Sequence, residues 1–153
     1  MTLATPQPLE AEHEELHRDL ARALAAGGRT GAVARVVADL LHPHFLREQT
    51  FALPPLGLLA SVSRDGSLGG SSADVQEALA MTERLRAELP EMLAEHGRIV
   101  AALDALVAAA KAEGHEEHAH FAEKLILHAR TEEQVLYPAA LLVGDILRRT
   151  AGG

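Results

Sequence analysis

Six residues in this sequence have types and spacings that suit shared chemistry: His13, His44, Glu48, His96, His128 and Glu132. Twice a glutamate follows a histidine by four positions, at His44/Glu48 and His128/Glu132. Residues four apart on a helix lie on one face, about 6 Å apart along the axis, so each pair presents an imidazole and a carboxylate to the same spot. Carboxylates buried together without compensating charge are costly to desolvate or must take up protons. Divalent metal ions satisfy all six groups at once. A lone histidine on an apolar stripe is usually a hydrogen-bonded core residue, and a lone His/Glu pair is usually an ion pair. Metal enters through the joint pattern of four inward histidines and two carboxylates in matching places. Four imidazoles and two carboxylates can serve two ions: His13 and His44 on one, His96 and His128 on the other, with Glu48 and Glu132 bridging. About two positions of each octahedron would remain for water, an oxo or hydroxo bridge, dioxygen or peroxide. Mixed nitrogen and oxygen ligation suits iron or manganese and is compatible with zinc.

Four helices are expected to carry these residues, over about 8–26, 31–61, 74–113 and 115–149. The first starts near Pro8, stops at Gly27-Gly28 and has a stripe of Leu16, Leu20 and Leu24, on which His13 lies three residues earlier. Thr30 is placed to cap the second, whose stripe reads Val33, Val37, Leu40, His44, Glu48, Phe51 before Pro54-Pro55 loosen it. The third opens on an Asp74/Glu77 capping pair, carries Leu89, Leu93, His96, Ile99, Leu103 and Leu106, bends at Pro90 and closes at Gly114. The fourth carries Phe121, Leu125, His128, Glu132, Val135 and Ile146 and ends at Arg148-Arg149. Between the second and third, the Gly- and Ser-rich residues 63–72 read as a flexible crossover. Short joints at Gly27-Gly28 and Gly114 imply antiparallel neighbours, hence an all-α, up-down-up-down antiparallel four-helix bundle. The expected organisation is a single domain over residues 1–153.

The two halves of the chain resemble one another. Ala11-Glu12-His13 reappears as Ala94-Glu95-His96, an offset of 96 − 13 = 83. His44, Glu48, Pro54 reappears as His128, Glu132, Pro138, an offset of 128 − 44 = 84. An internal two-fold pseudo-repeat of this kind would bring the four histidines into one central layer.

Composition removes other classes of function. Apolar residues make up 48% of the chain and aromatics only 3%, so Leu, Ala and Val must build the core, and these favour helix. Acids outnumber bases 22 to 14, and no dense Lys/Arg cluster is present to neutralise phosphates, which argues against nucleic acid as a partner. Without cysteine there is no thiolate ligand, thiol nucleophile or disulfide. No basic start with an apolar run opens the sequence, and no window approaches about 18 uninterrupted apolar residues, so a soluble, cytoplasmic protein with no membrane partner is expected.

The remaining histidines carry weaker signals. His17 lies one turn after His13 and would add a ligand, but its counterpart in the repeat is Val100, which favours a helix-edge role. His42 lies off the His44/Glu48 face, and His115, His118 and His120 crowd what reads as a solvated helix end. Tyr137, the only tyrosine, has core packing as its default role.

The motifs EHEEL around His13, HFLRE from His44 to Glu48, EHGRI around His96 and HARTEEQVLYPAALL from His128 resemble the hemerythrin-like, or HHE cation-binding, domains over nearly the whole chain. That resemblance implies a four-helix bundle binding two iron ions through His13, His44, Glu48, His96, His128 and Glu132. The oxygen-carrying members use five histidines, two of them one turn apart on the third helix. Here Met92 and Val100 occupy the positions one turn either side of His96, and Glu132 stands where the carriers have a differently spaced aspartate. The resemblance therefore implies iron rather than one shared activity. A ferritin-like pattern fits less well, because Leu41 and Leu125 stand where a glutamate should precede each histidine by three. The expected function is a non-haem di-iron protein reacting with or sensing dioxygen, peroxide or nitric oxide, or handling iron, with a redox or signalling protein as partner. The alternatives are a metal-dependent conformational sensor without turnover, and a structural bundle that is zinc-bound or metal-free. No general acid or base stands outside the ligand set, so whether it is an enzyme stays open.

Overall fold

Leu, Ala and Val at helical spacing give an all-helical bundle whose helices pack antiparallel; the structure, a computed structural model, describes residues 3–152. The domain span expected from the sequence also takes in Met1, Thr2 and Gly153, which lie outside the described residues. Helix α1 is Gln7–Ala25, α2 Gly28–Arg47, α3 Ala60–Asp65, α4 Ser72–Ala112, α5 Glu116–Thr131 and α6 Tyr137–Ala151. A π-helical turn, Glu48–Ala52, and a 3-10 segment, Pro54–Leu58, separate α2 from α3. A second π-helical turn, Glu132–Leu136, joins α5 to α6. Helix α4 packs against α2, α5 and α6, while α1 packs against α2 and α5. None of the described helices is long and apolar enough to cross a membrane.

The core falls into two main apolar clusters. One joins Leu16, Leu20, Val37, Leu41, Phe45, Ile99, Leu103, Leu106, Phe121 and Leu125. The other joins Phe51, Leu53, Leu56, Leu85, Met92, Tyr137 and Ala140. On α4, His96 falls between Met92 of the second group and Ile99 of the first, so the polar side chains form a layer with hydrocarbon above and below. Such a layer is insulated from bulk water, which strengthens every electrostatic interaction inside it.

Helix ends are set by chemistry that the sequence only partly reveals. At the α1–α2 joint, Gly27 and Gly28 adopt φ of 67° and 58°, values that β-carbon-bearing residues avoid. Thr30 does not cap α2. The cap comes from Glu113 at the far end of α4, whose carboxylate accepts from Thr30 N at 2.7 Å, Thr30 Oγ1 at 2.6 Å and Arg29 N at 3.3 Å. This spares α2 its unsatisfied first-turn N–H groups and ties two helix ends together. Helix α4 opens on a Ser71/Asp74 capping box rather than an Asp74/Glu77 pair: Ser71 Oγ accepts from Asp74 N at 3.1 Å, and Asp74 Oδ2 accepts from Ser71 N at 2.9 Å. The same helix runs unbroken through Pro90. In the Gly-rich crossover, α3 extends to Asp65, and Ser61 Oγ both donates to Ser67 O at 2.9 Å and accepts from Gly69 N at 2.5 Å.

Two apolar stripes differ from the sequence expectation, for distinct reasons. Val135 and Ile146 are exposed, at 56% and 44%, because the π turn inserts one residue into the helical register. After Glu132 the next buried residue is therefore Tyr137, five along, followed by Ala140, Val143 and Leu147. On α4 the buried positions 85, 92, 96, 99, 103 and 106 follow spacings of three, four and seven, which select Met92 and leave Leu93 40% exposed.

Candidate metal centre

The helices bring His13, His44, Glu48, His96, His128 and Glu132 into one place, each at most 4% exposed. His13 comes from α1, His44 from the last turn of α2, His96 from the middle of α4 and His128 from the last turn of α5. Both carboxylates stand at the first residue of a π-helical turn, Glu48 and Glu132. In each turn the backbone N–H five residues on, at Leu53 and Tyr137, donates to the carbonyl of the glutamate. The wider turn re-aims the chain beyond the carboxylate without breaking the helix, as such bulges do at functional sites.

Chain order suggests that His13 shares a position with His44, and His96 with His128. The structure pairs them otherwise. His44 Nε2 lies 2.8 Å from His96 Nε2, and His13 Nε2 lies 3.1 Å from His128 Nε2. Helix α1 packs on both α2 and α5, and α4 on both α2 and α5, so adjacency alone permits either pairing, and the side-chain positions within the layer select this one. Glu48 Oε1 stands 3.4 Å from His44 Nε2. Glu132 reaches both pairs, with Oε1 3.3 Å from His96 Nε2 and Oε2 3.2 Å from His128 Nε2 and 3.5 Å from His13 Nε2. Two groups of donors result, His44/Glu48/His96/Glu132 and His13/His128/Glu132, with the donor atoms of each within 4.8 Å of one another.

These buried clusters can hold metal ions, and their electrostatics fit that use. Glu48 Oε1 and Glu132 Oε2 are buried and accept no hydrogen bond. An orphaned buried acceptor costs about 1–3 kcal/mol, more if charged, so natural structures rarely keep two in contact without a use for them. Burial, and then the neighbouring Glu132, push the Glu48 carboxyl well above the usual carboxylate range. Burial acts on Glu132 in the same direction, but Glu48, His128, His13 and His96 outweigh it and hold Glu132 well below that range. The pair thus favours one proton between two carboxyls. His44 is pushed down to about 3 by burial and by His96, so it is a neutral donor with a free lone pair at physiological pH. Burial lowers His128 too, but the nearby carboxylates of Glu132 and Glu12 reverse the outcome and raise it.

A second set of carboxylates orients the imidazoles from behind. His128 Nδ1 is 2.6 Å from Glu12, His96 Nδ1 is 2.9 Å from Glu133, and His44 Nδ1 is 3.4 Å from Glu95. Glu95 is itself held by Arg47, which also binds Glu88 at 2.6 Å. Carboxylates at Nδ1 fix the tautomer that leaves Nε2 free to bind metal. His13 is steadied by face-to-face stacking on Phe45, with centroids 4.1 Å apart.

Sequence reasoning missed these outer carboxylates, although a signal existed. Glu12 and Glu95 sit immediately before His13 and His96 in both copies of the Ala-Glu-His motif. A neighbour in sequence points about 100° round the helix, which carries each glutamate to a histidine on a different helix. Tyr137 was also missed, because only the π turn brings it to the site. Its hydroxyl donates to Glu48 Oε2 at 2.9 Å.

The other histidines lie elsewhere. His17 and His42 face one another with centroids 5.2 Å apart, and His17 also meets Phe45 edge-on. His118 is buried rather than solvated, at 8% exposure, and its neighbour His115 is half-exposed; the two form a separate small group with Glu117. Comparison of the chain with protein-family models, curated proteins and solved structures finds no match.

Proposed function

We propose that this chain is a hemerythrin-like, non-haem di-iron protein that reacts with or senses dioxygen, peroxide or nitric oxide, or handles iron. The observation that carries the reading is the convergence of four imidazoles on two buried carboxylates that each keep an unpartnered oxygen. Hydrogen-bonded core histidines and ordinary ion pairs would leave neither oxygen bare. The motifs around the six residues, their spacing at offsets of 83 and 84 in the sequence, and an all-helical bundle of antiparallel helices support the same family. Under this reading His13, His44, His96 and His128 are the nitrogen donors and Glu48 and Glu132 the oxygen donors.

Two bound iron ions would supply one-electron redox chemistry beside each other, suited to reducing a small oxidant. The chain's own residues do the rest. Glu132 reaches both histidine pairs and holds the two positions close. Glu12, Glu95 and Glu133 keep Nδ1 engaged so that each Nε2 points inward. Glu48, whose carboxyl favours the protonated form, is placed to release a proton as positive charge arrives and to take one up as charge leaves. The apolar clusters on either side exclude bulk water from the layer.

An anaerobic ferrous titration of metal-stripped protein tests the reading. Saturable uptake of about two irons per chain, followed by new visible charge-transfer bands on admission of air, is the expected result. Repeated peroxide consumption with a reductant would then mark an enzyme, and a single change of state a sensor. Absence of saturable iron uptake, or tight uptake of zinc alone, refutes the di-iron reading.

A further inference from the structure

The joint between α4 and α5 carries a second concentration of metal-ligating side chains, separate from the central layer. Gly114 turns the chain at a φ of 77°, His115 N donates to Ala110 O at 2.8 Å, and His115 O accepts from His118 N at 3.1 Å and Ala119 N at 3.2 Å. The backbone is thus held on both sides of His115, and its imidazole lies one turn from that of His118, with ring centroids 5.6 Å apart at 51°. Glu117 reaches both, its Oε1 3.4 Å from His118 Nε2 and 4.0 Å from His115 Nδ1. One donor atom from each of the three lies within 4.8 Å of the others. His118 precedes His128 on the same helix by 128 − 118 = 10 residues. That is about 15 Å along the axis, so the two groups cannot share an ion.

Burial and spacing both argue for a ligand set rather than a solvated helix end. His118 is 8% exposed, and among the described residues its ring meets no partner other than the Glu117 carboxylate. Zinc bonds of about 2.0–2.2 Å to imidazole nitrogen and carboxylate oxygen set tetrahedral donors about 3.3–3.6 Å apart. Glu117 and His118 already stand at that separation, and a small movement of the exposed glutamate brings His115 to it. The positive end of α5 opposes a cation, but Glu116 and Glu117 fill its first turn and the C-terminal end of α4 lies just before it. Glu117 and His118 also border a cleft of about 380 Å³ between α1 and α5, lined further by Asp19, His120 and Lys124, which gives water access to the donors.

We propose that His115, Glu117 and His118 form a separate site for a divalent cation of the zinc class. His115 Nδ1, His118 Nε2 and a Glu117 carboxylate oxygen take three positions of a tetrahedron, and water from the cleft takes the fourth. Two imidazoles and one carboxylate suit zinc or copper, whereas magnesium and calcium take oxygen donors. Iron(II) binds mixed nitrogen and oxygen sites more weakly than zinc, so this site does not compete with the central layer for iron. Among the described residues no carboxylate backs these imidazoles as Glu12, Glu95 and Glu133 back those of the layer, so the ion is held less tightly and exchanges.

Zinc is the probe. Metal-stripped wild type and His115→Ala/His118→Ala are dialysed against the same micromolar free zinc with magnesium in excess, and zinc per chain is counted by elemental analysis. The double variant should hold one zinc fewer than the wild type. His120→Ala, which alters the cleft outside the donor set, should hold as many as the wild type. Equal zinc in the wild type and the double variant, or the same loss in His120→Ala, overturns the proposal. Should the double variant fail to fold, Glu117→Ala, which truncates one exposed side chain, should lose the same single zinc, and full retention overturns the proposal. The central layer adds the same count to every protein compared, so the difference is read whether or not that layer binds metal, and failure of the di-iron reading leaves it unaffected.

Discussion

Replacing Glu48 by glutamine should have opposite effects on the metal-stripped and the metal-loaded protein. The Glu48 side chain is fully buried, its Oε1 lacks a partner, and the adjacent Glu132 and burial both favour its protonated form. Glutamine keeps the volume, keeps an oxygen for the Tyr137 hydroxyl, and places an amide donor where Glu48 must hold a proton to face Glu132. An unsatisfied buried acceptor costs about 1–3 kcal/mol, so stripped Glu48→Gln should gain up to that amount at neutral pH. For a domain of this size the gain corresponds to a rise in Tm of roughly 2–12 °C. The sign of its pH dependence follows from the raised carboxyl. The folded state keeps the proton to higher pH than the unfolded chain does, so the wild type loses stability as pH rises above the ordinary carboxyl range. The advantage of glutamine should therefore vanish in acid, where both states of the wild type are protonated. In loaded protein the substitution removes a ligand, and the stabilisation that metal confers, about 2.7 kcal/mol per site at a hundredfold excess over Kd, should shrink. Thermal melts of both proteins, with chelator and with metal, between pH 4 and 8, make the comparison. Equal destabilisation of Glu48→Gln with chelator and with metal would refute the reasoning and mark Glu48 as a structural hydrogen-bonding residue.

Other outcomes follow from the same geometry. Glu132→Ala or His44→Ala should lower iron content and the Tm of iron-loaded protein, whereas His115→Ala should change neither; retained iron in both ligand variants, measured by elemental analysis, would count against the site. Glu133→Ala frees Nδ1 of His96 and should weaken metal binding by about 10- to 100-fold without abolishing it, read by competition with a chromophoric chelator. Gly144→Ala drives a β-carbon into Thr82 where α6 crosses α4, and overpacking of this kind should cost about 1–3 kcal/mol in a denaturant melt, with metal stoichiometry unchanged. Glu113 is held below the usual carboxylate range, first by the Thr30 hydroxyl and then by the Thr30 and Arg29 amides, so its contribution is present above the unfolded carboxyl pKa and lost as pH falls through the folded one. Glu113→Gln should accordingly lower stability near neutrality and flatten the acid limb of the stability curve.

What the sequence determined is the helical class and the six residues that meet. Both are encoded in periodicity: Leu16, Leu20, His13 and their counterparts on α4 and α5 share a face because 3.6 residues complete a turn, and His44/Glu48 and His128/Glu132 stay together for the same reason. Local rules also set the Gly27-Gly28 stop. They did not set which imidazole faces which, because each histidine-bearing helix touches two others, and the pairing depends on how the packed helices aim their side chains into the layer. Nor did they reveal the Glu113 cap, which joins residues more than eighty apart. The π turns at Glu48 and Glu132 were the largest omission. A single extra residue per turn costs little locally and leaves no compositional mark, yet it exposes Val135 and carries Tyr137 inward. The donors were thus legible from spacing, while the phenol that donates to Glu48 reached the layer only through a register shift that no local rule announces.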